Sequence, residues 1–177
     1  GYTNISNSII YGNGDSTQIF IDADANPTLN IEYSNIENGL DIVADSIGVI
    51  NWGDGNIDVD PKFVLPDSKD YRLLASSLCI NEGHIDSIDS DGTRLDIGVF
   101  PYLTDNDGSD WYVETSGSDI SGTGTSGNPF ASVQAGLNFA DDNHSVHVNS
   151  GTYNENVVWL IDKIGVQLIG NNRDDTI

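Results

Sequence analysis

Methionine is absent from the 177 residues, cysteine occurs once, and lysine and arginine together number six against 28 aspartates and glutamates. A single cysteine excludes an intrachain disulfide, so no covalent staple can replace a core. Cys79 lies in the apolar run Leu78-Cys79-Ile80, where a buried and inert thiol is expected. The shortage of cations gives a formal charge of −22. Such a charge repels nucleic-acid phosphates and anionic lipid alike, so nucleic acid is not an expected partner. It suits a wet acidic surface or one that recruits divalent cations. Long apolar runs are missing too: none reaches the roughly 20 residues of a membrane span, and no basic, apolar leader precedes the first strand-like segment. The chain opens on Gly1 and stops at Ile177 just after an apolar run, so both ends read as cut, and the chain as an internal piece of a secreted protein.

What is present is a succession of short β-branched runs. Asn4, Ile5, Ser8 and Ile10 recur as Asn30, Ile31, Ser34 and Ile36, an offset of 26 that suits one turn of a solenoid. Strands are predicted over Asn4 to Ile10, Gln18 to Ile21, Leu29 to Ile36 and Ile47 to Asn51. The turn-formers Gly12-Asn13-Gly14-Asp15, Asn26-Pro27, Asn38-Gly39 and Gly53-Asp54-Gly55-Asn56 separate or follow them. Many short strands with frequent corners fit a coiled parallel sheet or a sandwich, and the repeat favours the coil.

Helical spacing occurs once, over Pro129 to Ala140, with Asn128 as the expected N-cap, Pro129 at the first helical position, and Phe130, Val133, Leu137 and Ala140 on one face. Strand-like Val146 to Val148, Val157 to Ile161 and Val166 to Ile169 follow. The polar stretch from Thr104 to Asp110 reads as a boundary, which divides the chain into residues 1–103, an acidic linker at 104–110, and residues 111–177.

The first-half segments "YSNIENG", "GNIDVDPKFV", "DYRLLASSLCINEG" and "DGTRLDIGVFPY" resemble the last coils and closing segment of bacterial surface β-helix proteins with a choice-of-anchor tail. In the second half, "WYVETSGSDISGTGTSGNPFASVQAGLNFA" and "VHVNSGTYNENV" resemble the opening segment of the DUF1565 and polysaccharide lyase family 9 type. Both are pectin-lyase-like in superfamily. The resemblance implies an all-β, right-handed parallel β-helix on the bacterial surface or outside the cell. It also implies a short amphipathic capping helix near residues 129–140, laid over the exposed end of a coil stack. Such a helix would block edge-to-edge aggregation, with Phe130, Val133, Leu137 and Phe139 as capping residues.

Chemistry-bearing motifs are sparse. Gly122-Thr123-Gly124-Thr125-Ser126-Gly127 matches the dinucleotide-binding glycine pattern, but Asn149 and Ser150 stand where the ribose-binding acid belongs, and a flexible loop is expected instead. Asp105, Asp107 and Asp110 around Gly108 form a candidate calcium site, although Leu103 occupies the first ligand position of an EF-hand frame; Asp86, Asp89 and Asp91 fit that frame worse. None of Lys62, Lys69, Lys163, Arg72, Arg94 and Arg173 sits in an acidic cluster at strand spacing, as a lyase base would, and Arg94 near Asp96 suits a structural ion pair. His144 and His147 are three residues apart, which on a strand turns them to opposite faces, and His84 is remote. Trp52, Trp111 and Trp159 suit core filling or sugar contact. The expected role is structural or carbohydrate-binding, with polysaccharide or cell-surface glycan as partner and no catalytic residues in this piece. The alternative is a fragment of a polysaccharide lyase or glycoside hydrolase whose catalytic coils lie elsewhere.

Overall fold

The structure is a computed structural model that describes residues 1–14, 19–20, 27–44, 48–159 and 163–171. Strands predominate among these residues and there is one α-helix, so the chain is all-β in class. Asp15, Gln18, Ile21, Asn26, Ile47, residues 160–161 and Arg173, all used in the sequence expectations, lie outside the described residues. The chain forms two compact units, Gly1–Pro61 with Asn81–Pro101, and Lys62–Ile80 with Tyr102–Ile177.

In the first unit, β1 (Tyr2–Ser6), β4 (Thr28–Glu32) and β7 (Val49–Trp52) form a parallel sheet in that order. Two smaller parallel pairs accompany it: β2 (Ile9–Ile10) with β5 (Asn35–Ile36), and β3 (Ile19–Phe20) with β6 (Val43–Ala44). The 26-residue offset is the strand register itself: Asn4 pairs with Asn30, Ile5 with Ile31 and Ile10 with Ile36. Strand alternation sends Leu29 and Ile31 inward, and with Ile36 they make a core packed by Ile5, Ile10, Ile19, Ile50 and Trp52. Each long predicted strand is in fact two, because the chain turns a corner at Asn7 (φ +48°) and, 26 residues on, at Tyr33 (φ +46°). Left-handed backbone suits asparagine and is uncommon for tyrosine. At Tyr33 the ring lies against Gly55, where any side chain would collide with it.

Polar groups buried at these corners are satisfied. Asn35, fully buried, donates from Nδ2 to the Val59 carbonyl at 2.9 Å and accepts from the Val59 N–H at 3.1 Å. The 81–101 segment is tied to the first corner through Asn7, whose Oδ1 accepts from His84 N at 2.7 Å and whose carbonyl accepts from Gly98 N at 3.1 Å.

The second unit has a parallel sheet of β10 (Asp110–Val113), β11 (Ser145–Val148) and β12 (Gln167–Gly170), and an antiparallel pair, β8 (Phe63–Leu65) with β9 (Asp70–Leu73). Helix α1 spans Val133–Phe139 and packs on β10 and β11. It starts later than the spacing predicts. Phe130 is held extended by a parallel bridge to Val113, so the helix cannot begin at Pro129. Ser132, not Asn128, is the N-cap, and its side chain accepts from Ala135 N at 3.2 Å. Asn128 instead donates to the Ser121 carbonyl.

The helix is also not amphipathic in its surroundings, because all seven residues are buried. Gln134 and Asn138, one turn apart, carry the polar side. Gln134 Nε2 donates to Asn138 Oδ1 at 2.8 Å, and Asn138 Nδ2 donates to the carbonyls of Ala75 and Ser77 at 2.9 and 2.8 Å. These bonds bring residues 62–80, assigned by the sequence to the first half, against a helix of the second unit. Gly136 allows the helix its close approach to the sheet, since a Cβ there would stand 2.6 Å from Val146 Cγ1 and 2.9 Å from Val113 Cγ2. Charges match the helix ends: Glu155 accepts from Val133 N and Gln134 N at 2.7 and 3.0 Å, and Lys163 Nζ donates to the Leu137 and Asn138 carbonyls at 3.2 and 2.8 Å. Beneath lies an aromatic core in which Phe130 stacks on Trp111 and Phe139.

Candidate functional site

Parallel pairing in register places like residues beside like. On the outward side of β1, β4 and β7 the repeated asparagine becomes a ladder, with Asn30 Nδ2 donating to Asn4 Oδ1 at 2.6 Å and Asn51 Nδ2 donating to Asn30 Oδ1 at 2.7 Å. Both bonds are exposed. The ladder is flanked by Tyr2, Thr28 and Val49 on one side and by Ser6 and Glu32 on the other, at alternate positions of the same strands. Sequence reasoning found its first two rungs and missed Asn51, because the third strand follows at an offset of 21 rather than 26 and replaces isoleucine with Trp52. The recoverable signal is the pair Asn51-Trp52 set against Asn4-Ile5 and Asn30-Ile31. A second amide pair, Asn171 Nδ2 to Asn149 Oδ1 at 2.6 Å, lies in the second unit.

The outward side of β10 and β11 carries a different group. His147 Nε2 lies 2.7 Å from Asp110 Oδ1, and its ring stacks on Tyr112 with centroids 5.0 Å apart. His144 contacts Trp111 instead, whose Nε1 donates to its Nδ1 at 3.1 Å, so the two histidines serve different partners.

The acidic residues singled out by the sequence are placed as follows. Asp105 and Asp107 are exposed, and Asp110 is taken by His147. Their loop is organised by its neutral residues: Thr104 Oγ1 donates to the Thr123 carbonyl, and Asn106 Nδ2 donates to the carbonyls of Asp110 and Gly124. In the other cluster, Asp89 and Asp96 are buried, Asp89 Oδ2 accepts from Asp96 N at 2.9 Å, and Asp96 Oδ1 accepts from Asn81 N at 2.8 Å. Burial holds the Asp89 carboxyl above the ordinary carboxylate range. Asp91 caps Thr93, accepting from its N–H and hydroxyl. Among the described residues, no group of three or more His, Cys, Asp or Glu side chains gathers as a metal cage requires.

Arg94 pairs with Glu82 at 3.4 Å and donates from Nε to the Gly83 carbonyl, rather than pairing with Asp96. The glycine-rich loop spends its N–H groups on its own backbone: Gly122 N donates to Ser118 O, and Thr123 N and Gly124 N both donate to Asn128 O. Gly124 is required by packing, since a Cβ there would meet Trp111 and Phe130. Among the described residues, no helix is long and apolar enough to cross a membrane. Comparison of the chain with family models, curated proteins and solved structures finds no match to any of them.

Proposed function

We propose that the chain is a right-handed parallel β-helix module of an extracellular or cell-surface protein, with a carbohydrate-binding or structural role and no catalytic centre of its own. The observation that carries this reading is the in-register amide ladder on three successive parallel strands, since a coil that stacks like on like turns one polar residue into a periodic surface. The connections support the coil: equivalent positions pair at offsets of 26 and 21 residues in the first unit. In the second, Phe130 bridges the side of β10 away from β11 and α1 packs across β10 and β11, which together cover the first strand of that sheet as a cap over a stack end would.

A structural role draws support from the polar network around α1, which ties segments distant in sequence through Gln134 and Asn138. The test is binding of the chain to immobilised neutral and acidic polysaccharides, run beside an assay for released unsaturated uronates and reducing ends. Binding without turnover is the expected result. Turnover of any polysaccharide would overturn the non-catalytic reading in favour of a lyase or glycosidase.

A further inference from the structure

We infer that the outward face of β1, β4 and β7 takes a neutral, extended, linear polysaccharide lying along Asn4, Asn30 and Asn51; this rests on the carbohydrate-binding form of the proposed function and names its ligand class. Each amide carries two N–H donors and an oxygen with two lone pairs. The ladder consumes one donor of Asn30 and one of Asn51, which leaves a second donor on each for a ligand. The rungs also fix one another's side-chain rotamers, so little freedom remains to be lost on binding. Strand spacing sets the rungs about 4.8 Å apart and the row about 10 Å long. An extended pyranose chain advances by nearly the same distance per ring, so successive sugars meet successive rungs.

The rows beside the ladder suit a sugar's two kinds of surface. Tyr2 is 84% exposed and Val49 55% exposed, and they occupy the same row on the outer strands of the sheet. A row that sets an aromatic ring and an aliphatic side chain on either side of Thr28, next to a donor row, matches a pyranose ring, which has C–H faces and a hydroxyl rim. On the opposite side Glu32 supplies an acceptor for hydroxyls.

Charge narrows the ligand to a neutral one. No lysine or arginine occurs in β1, β4 or β7, while Glu32 and a net charge of −22 repel uronates and sulfates. Elsewhere Arg72 is held by Asp70, Arg94 by Glu82, and Lys163 by the end of α1.

The test is affinity electrophoresis of the chain through gels containing hydroxyethyl cellulose, neutral arabinoxylan, glucomannan or polygalacturonate. Two variants are compared, Asn30→Asp and Tyr2→Ala, the second at a site so exposed that folding does not depend on it. Wild type should be retarded by at least one neutral polymer and not by polygalacturonate, and each variant should bind about fivefold more weakly or worse, with unchanged circular dichroism. Variants that bind as wild type does would overturn the assignment to this face and leave the carbohydrate reading standing. Preference for polygalacturonate would overturn the choice of a neutral ligand. A wild type that binds none of the four polymers would overturn this inference together with the binding role on which it rests.

Discussion

The inward rows of the two three-stranded sheets fill their space differently. In the first unit one row runs Ile5, Ile31, Trp52 and the neighbouring one Thr3, Leu29, Ile50, so isoleucine meets isoleucine in the first row and leucine meets isoleucine in the second. In the second, Trp111 pairs with Val146 and Val146 with Leu168, and the space is filled by Phe130, Phe139 and Tyr102 brought from outside the sheet. The first core is repetitive, so the loss of one methyl is shared along the row. The second is assembled from single aromatic contributions around a buried helix, and each of them lacks a substitute.

That contrast is broken or sharpened most strongly by Phe130→Ala. The ring is fully buried against Trp111 and Phe139, and its removal should cost about 3–5 kcal/mol in urea unfolding. Ile31→Val, at an equally buried position of the repetitive core, should cost about 0.5–1.5 kcal/mol. Equal costs for the two would erase the distinction. Next is Glu155→Ala, which strips the carboxylate from the first two N–H groups of α1 and should cost about 1–2 kcal/mol. Restoring most of it with Asp would show that charge rather than reach matters.

The smallest effect is expected at Asp89 and is read through pH. Burial raises its carboxyl in the fold, the Asp96 N–H opposes that shift and Asp91 adds to it. A carboxyl raised on folding contributes stability that is complete below its unfolded value and is lost as pH rises through the folded one. Asp89→Asn keeps an acceptor for Asp96 N and removes that loss. The variant should therefore gain on wild type as pH rises from about 4, and a difference independent of pH would refute the assignment.

What the sequence revealed follows the same division. Repetition is visible in one dimension: the spacing of Asn4 and Ile5 from Asn30 and Ile31 is the strand register. The corners stayed hidden, since Asn7 and Tyr33 both fall inside strands expected to be continuous, and Tyr33 adopts left-handed backbone over Gly55, a glycine whose role depends on a residue 22 positions away. The helix was legible in its spacing and misplaced at its start, because the bridge that keeps Phe130 extended is a tertiary contact with Val113. Its burial on every side was illegible: Gln134 and Asn138 look like a wet face until Ala75, Ser77 and Val158 offer them backbone partners. Of the site, the amide ladder's first two rungs were readable, while the change of period to 21 residues hid the third.

The strand register of the first sheet underlies the ladder, the ligand inferred for it and the repetitive core, and pairwise cysteine replacement tests that register most directly. In-register neighbours on adjacent strands lie about 4.8 Å apart, within the roughly 4.4–6.8 Å between Cα atoms that a disulfide tolerates. The double variant Asn4→Cys with Asn30→Cys, oxidised in its native state, should therefore form an intrachain disulfide between the two, while Cys79 is buried. Asn4→Cys with Asn51→Cys, two strands apart, and Asn4→Cys with Ile31→Cys, on opposite faces, should not. Efficient oxidation of either of the latter pairs, or failure of the first, would contradict the register.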